Sequence, residues 1–508
     1  MVMSALFIAV LMIMASFAVD VSAWYSRTTQ VQRAADSAAL AGVVFMPDLV
    51  AATTAATTTL AKNGFTAGVS GVTVDINPVP GYPRQLEVSV GDTDVDQYFS
   101  GAFTSSPKIV RRSVAEYITQ VPLGSPDNLL GNDPVTGVVS NLWASISGPY
   151  TDKNNGDPFS TKCGAGSSGT TSCSGVANGE YRKTGFLYAI DITPAQVNQD
   201  VSVAIYDANH HARSSYPNYQ TADNGDVNTQ FELFDIDGTP ATDSDNTVPG
   251  NSLAGKCSSG PGRQYIDGSS DTSSAGINAT YESKWWTLCT VRPITTGHLI
   301  LQVKSSDIPG QSPDKGSGWN QYSVKATVPT GTNPALFAIG DLSLFNNLPN
   351  NTLADTSASF YLSQIDPANQ GKLLEVKLFD PGDGNSGNYD VNILKPNAAG
   401  TGWSITTCKS GSGATANATV TYGASGACTI VTRTSSGNTY QGKWLSILMD
   451  VDYSSQGNVC GTCWWKVRYD FAALASADSK AKPPTFDSPN DRTVWSAQIL
   501  GDPVHIVS

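Results

Sequence analysis

Charge is scarce in this chain: 14% of its 508 residues are Asp, Glu, Lys or Arg, and no Lys or Arg occurs before Arg27. The 30 basic residues are scattered and the net charge is -13, so there is no electrostatic footprint for a phosphate backbone and nucleic acid is excluded as a partner. Only four histidines are present. No His-Glu-x-x-His and no Gly-x-Ser-x-Gly elbow occurs, and no phosphate-cradling Gly-x-x-x-x-Gly-Lys is followed by the Ser or Thr that the motif needs. Those absences remove common routes to metal, nucleophilic and phosphoryl-transfer catalysis. The chain is therefore read as a non-enzyme with no catalytic and no cofactor-binding residue. His210-His211, the one histidine pair, follows a predicted strand. Adjacent side chains of an extended segment point to opposite faces, so the pair reads as surface loop.

Cysteine is missing from the first 162 residues. All eight cysteines follow, in sequence-local pairs: Cys163 and Cys173, Cys257 and Cys289, Cys408 and Cys428, Cys460 and Cys463. An even number at short spacings fits disulfides in an oxidising compartment, local pairing being the simplest of the connectivities. A zinc site would want two close Cys pairs or supporting histidines, and only Cys460-Gly-Thr-Cys463 has such spacing. As a redox dithiol that pair would need a helix N-terminus to lower its thiol pKa, whereas here it feeds a strand.

What the chain does have, at its start, is an uncharged apolar run from Val2 to Val19. Eighteen helical residues span roughly 27 Å, enough for a bilayer core. Asp20, Trp24 and Tyr25 then mark the membrane edge, with Asp20 a candidate charge partner. Arg27 and Arg33 after the run would by themselves hold the following chain in the cytoplasm. The cysteine pairs and the turn-rich composition argue for the opposite side, with a basic leader expected upstream of Met1. A cleaved signal peptide is the competing account, since Val21-Ser22-Ala23 is a small-residue cleavage pattern.

No Pro or Gly interrupts the helix until Gly42. Its outer half sets Val31, Ala34, Ala35, Ala38 and Gly42 at helical spacing, a stripe of small residues that lets another helix approach closely. The bland alternative is that alanine is merely a good helix former.

Phe17-Ala-Val-Asp-Val21, Gln32-Arg-Ala-Ala-Asp-Ser-Ala-Ala-Leu-Ala-Gly42 and the alanine-rich segment up to Asn63-Gly64 resemble the TadE/TadG-like proteins of the tight-adherence (Flp) pilus assembly system. The resemblance covers residues 1 to about 120. It implies a transmembrane and extended amphipathic helix (1–45) followed by a small α+β pilin-like unit (46–120). Alternation over Val72–Ile76, Gln85–Val90 and Lys108–Ile118 predicts its strands. A short amphipathic helix is expected over Asp96–Phe103, docked on the sheet by Phe99 and Phe103. Many family members also carry a von Willebrand A domain, whose metal motif Asp355-Thr-Ser-Ala-Ser359 matches in letters. The preceding Asn350-Asn-Thr-Leu-Ala354 is turn-like, so the segment reads as the entry to a strand.

From Ser125 the composition turns to Gly/Ser/Asn loops between short alternating strands, which predicts two mainly antiparallel β-sandwich domains, 121–332 and 333–508. The two strand sets resemble each other: Phe186–Ile192 then Val203–Asp207 parallels Phe360–Asp366 then Val376–Asp380. In the loop after the latter, Asp380, Asp383, Asn385 and Asp390 are candidate ligands for a structural calcium, although the spacing is not that of an EF-hand and these residues are also ordinary turn formers. Asp235, Asp237, Asp243 and Asp245 form a weaker version. Trp285-Trp286 and Trp464-Trp465, beside half-cystines, suggest sugar platforms but read better as sandwich core.

The resemblance implies a membrane-anchored, outward-facing, single-pass component of pilus assembly, packing through its helix stripe with pilin or other assembly proteins. The alternative is a surface adhesin that binds host or surface ligands and uses the helix only as an anchor.

Overall fold

The computed structural model describes residues 2–46, 49–79, 82–102, 105–117, 121–133, 135, 142–163, 177–207, 227–238, 246–267, 281, 284–310, 316, 318–347, 357–381, 390–408, 410–413, 427–434, 437–438, 440–470, 490–500 and 504–507. Two compact units result: residues 1–119 with 501–508, and residues 120–500. The second unit is thus inserted into the first.

In the first unit, helix α1 (Val2–Val43) runs unbroken because nothing in it lacks a backbone donor, and helix α2 (Leu49–Lys62) follows. Gly64, at φ 84°, ends α2 in the left-handed conformation while Phe65 N–H bonds back to Leu60 O. α2 returns along α1: Ala52 and Ala56 lie against Gly42, and Asn63 Nδ2 donates to Ser37 Oγ at 3.2 Å. The pair rests on an antiparallel sheet of β1 (Val72–Val79), β2 (Tyr82–Asp92), β3 (Ile109–Tyr117) and a C-terminal strand, Val504–Ile506. Leu86, Val88 and Val90 alternate inward from β2 beneath the helices.

The terminal strand is a departure from the expected 333–508 domain: it pairs with β3, Val504 opposite Tyr117. A second departure is the helix expected over Asp96–Phe103. Residues 93–99 are irregular, and a single 3-10 turn, Ser100–Ala102, stands in its place. Eight residues make a marginal helix, and this segment's amides have a better acceptor described below. Phe99 is 53% exposed instead of docked, and Phe103 lies outside the described residues.

The second unit is two facing sheets of short antiparallel strands. One runs Arg263–Ile266, Thr229–Asp237, Gly297–Ser305, Phe186–Ile192, Leu336–Ile339, Leu123–Gly124, Ser357–Gln364, Trp464–Asp470, Asp390–Pro396, Trp403–Ile405. The other runs Trp285–Val291, Val201–Asp207, Trp319–Thr327, Leu142–Ser147, Asp341–Asn347, Asn490–Leu500, Leu373–Phe379, Trp444–Asp450, Ser410–Gly413. Apolar side chains of both halves fill one continuous core.

The pairing repeats between halves. Phe186–Ile192 sits beside Gly297–Ser305 as Ser357–Gln364 sits beside Trp464–Asp470, and Val201–Asp207 beside Trp319–Thr327 as Leu373–Phe379 beside Asn490–Leu500. The first strand of each half is exchanged: Leu336–Ile339 pairs with Phe186–Ile192 of the earlier half, and Leu123 pairs with Ser363 of the later one. Each sheet therefore crosses between halves without an edge, and a boundary at 332/333 cuts through both. The expected pair of separate sandwiches is replaced by one unit, because closing these edges satisfies backbone groups that two separate sandwiches would expose.

Candidate functional site

Among the described residues no helix is long and apolar enough to cross a membrane. The expected span, Val2–Val19, is helical, but the side chains of residues 2–6, 8–11 and 13 lie outside the described set. The site that is described begins where that run ends.

Asp20 is fully buried. Its carboxylate accepts three consecutive backbone N–H groups: Tyr98 at 2.9 Å, Phe99 at 3.1 Å and Ser100 at 2.5 Å. Burial works to raise its pKa, but hydrogen bonds from Ser100, Tyr98 and Phe99 outweigh it and hold the group below the ordinary carboxylate range. The charge partner expected for Asp20 is thus a set of amides from the same chain. Of the other membrane-edge residues, Trp24 packs partly into the first unit's core with its ring edge-on to Phe17, while Tyr25 is exposed.

One turn further, Arg27 Nε lies 2.7 Å from Asp92 Oδ2, whose side chain is fully buried, and the guanidinium stacks over the Phe65 ring at 4.6 Å. Above it the stripe closes. Val31, Ala34, Ala35 and Ala38 are buried in the core formed with α2 and the sheet. A Cβ on Gly42 would stand 2.6 Å from Leu86 Cδ2 and 2.8 Å from Ala52 O. The stripe does admit a second helix, and that helix is α2 of the same chain. It is not presented to another protein, which corrects the expectation that these residues pack against pilin helices.

The remaining sequence candidates are dispersed. Asp380 is buried, at φ 56°, with Oδ1 accepting Gly442 N–H at 2.7 Å. Asp390 opens a strand opposite Asp470, and burial and that neighbouring carboxylate both raise its pKa. Asp383 and Asn385 lie outside the described residues, among which no group of three or more His, Cys, Asp or Glu could hold a metal ion. Asp235 and Asp237 end the strand Thr229–Asp237, while Asp243, Asp245, His210, His211 and Asp355 are outside the described set. A pocket of about 100 Å³ beside Phe186 is bridged by the Arg182–Asp341 ion pair at 2.6 Å.

Disulfides join Cys257 to Cys289, Cys408 to Cys428 and Cys460 to Cys463. Cys163 is also disulfide-bonded, and Cys173 lies outside the described residues. Trp465 is fully buried with Nε1 donating to Tyr453 Oη at 2.7 Å, and Trp286 is buried edge-on to Phe231. Both tryptophan pairs thus contribute to packing. Sequence reasoning passed over Asp92, the first of three acids alternating over residues 92–96, and read Tyr98–Ser100 as part of a helix.

Residues 1–55 match the family model described as Flp pilus-assembly TadE/G-like. No curated protein sequence matches the chain. Among solved structures, a similarity is found to the N-terminal CBM22-1-CBM22-2 tandem domain of Xyn10C from Paenibacillus barcinonensis, at 11% identity over 59% of this chain and 79% of that one. Its TM-score of 0.17 carries no argument.

Proposed function

We propose that this chain is a membrane-anchored, outward-facing component of Flp-type pilus assembly, acting as a structural part and not as a catalyst. The observation that carries the reading is the family match over residues 1–55, the stretch that forms α1 and the start of α2. With the stripe closed off by α2, the portion of α1 left for neighbouring helices is the apolar run before Asp20. Disulfides through the second unit support an oxidising location.

The second unit lies beyond the family match and is large enough to bind surfaces by itself, which keeps an adhesin function in view. Replacing residues 120–500 by an unrelated soluble domain, while keeping 1–119 and 501–508, separates the two. An assembly component still co-purifies with pilus-assembly proteins after that exchange. Loss of co-purification with the first unit still folded transfers the function to the second.

A further inference from the structure

We propose that the loop bearing Tyr98 and Phe99 is a second lipid contact, a shallow foot that seats the first unit on the headgroup–acyl boundary beside the point where α1 enters. This rests on the membrane-anchor reading above.

Asp20 is the first charged residue after the apolar run, and a bare carboxylate there would resist approach to lipid. The structure sheathes it: three amides of residues 98–100 occupy the carboxylate, so the loop is fixed at the level of residue 20 on the helix axis. At about 1.5 Å per residue, that level is roughly 27 Å from Val2, where a bilayer core ends. The amides face inward and the side chains outward, leaving Tyr98 64% and Phe99 53% exposed. Phe17 and Tyr25 flank the same level on α1 and are also exposed. Exposed aromatics within about 12 Å of helix rise around that level cost little in an interface and more in water. With Asp20 covered and Arg27 paired, the helix offers no unpaired charge from Val2 to Ser26. Asp94 and Asp96, exposed just before the loop, keep the contact shallow.

Nitroxide labels on the full chain in phosphatidylcholine vesicles test this. Labels go on Phe99→Cys and separately Tyr98→Cys, with Met12→Cys in the apolar run and Val50→Cys at the far end of α2 as references. The readout is the ratio of collisions with oxygen to collisions with a water-soluble nickel chelate. The expected ratio at 98 and 99 is severalfold above that at 50 and below that at 12. A ratio equal to that at 50 overturns the proposal by placing the loop in water. Exclusion of both collision partners overturns it in favour of a protein neighbour, such as a second copy. A water-like reading at 12 would instead remove the anchor reading, and the foot with it.

Discussion

Arg27 and Asp92 meet at 2.7 Å across 65 residues of sequence, the guanidinium partly exposed and the carboxylate sealed. Beyond Arg27, Asp92 accepts Asp94 N–H, so removing the arginine leaves a buried charge with much of its compensation gone. Arg27→Ala should lower the stability of the first unit by about 1–3 kcal/mol, below the value for a fully buried pair because water screens one side. Denaturant midpoints of the variant and parent measure it. Superimposable curves would show that the pair does not contribute.

Ala38 has no free surface, and Gly42 has Leu86 and Ala52 where a side chain would start. Ala38→Leu should therefore destabilise the helix pair by about 1–3 kcal/mol through overpacking. Its effect on pilus assembly should follow that loss of fold. An Ala38→Leu protein with parental thermal stability but no assembly would return the stripe to an intermolecular role.

Asp20 gives a pH signature. Its folded pKa lies below the ordinary value near 3.8, so its contribution is intact above that value and is lost as pH falls through the lower folded one. Hydrogen exchange of a peptide spanning residues 96–102, corrected for intrinsic rates, should show protection falling in that acid window. In Asp20→Asn the protection should be weaker and no longer titrate there. A parental profile in the variant would mean that the loop is held by something else.

The exchanged strands predict which fragments fold. Residues 120–500 should unfold cooperatively by themselves, whereas 121–332 lacks Leu336–Ile339 and leaves the edge of Phe186–Ile192 open. The shorter fragment should be protease-sensitive or self-associate. A monomeric, cooperatively unfolding 121–332 would show that the exchange is dispensable.

Much of this architecture is readable along the chain where the pattern is local. Alternation located the strand Phe186–Ile192 to the residue, and alanine spacing identified the buried face of α1. What periodicity cannot carry is the identity of a partner. Nothing near Asp20 points to amides 78 residues away, and a small-residue stripe looks the same whether its neighbour is α2 or another protein. Leu336–Ile339 and Leu123–Gly124 are too short to register as alternating runs and are placed by strands from the opposite half. Val504–Ile506 is just as unreadable at three residues, and its place on β3 follows from a pairing that spans the whole inserted unit.

That last pairing sets a clock. Tyr117 leaves the ribosome long before Val504, its register partner, and at about 5–20 residues per second the interval is on the order of 20 to 80 s. Throughout it the end of β3 lacks that partner while residues 120–500 are being made. The newborn protein therefore spends that interval with the first unit's sheet unfinished, and whatever guards the nascent chain must cover the unpaired end of β3 until translation is nearly complete.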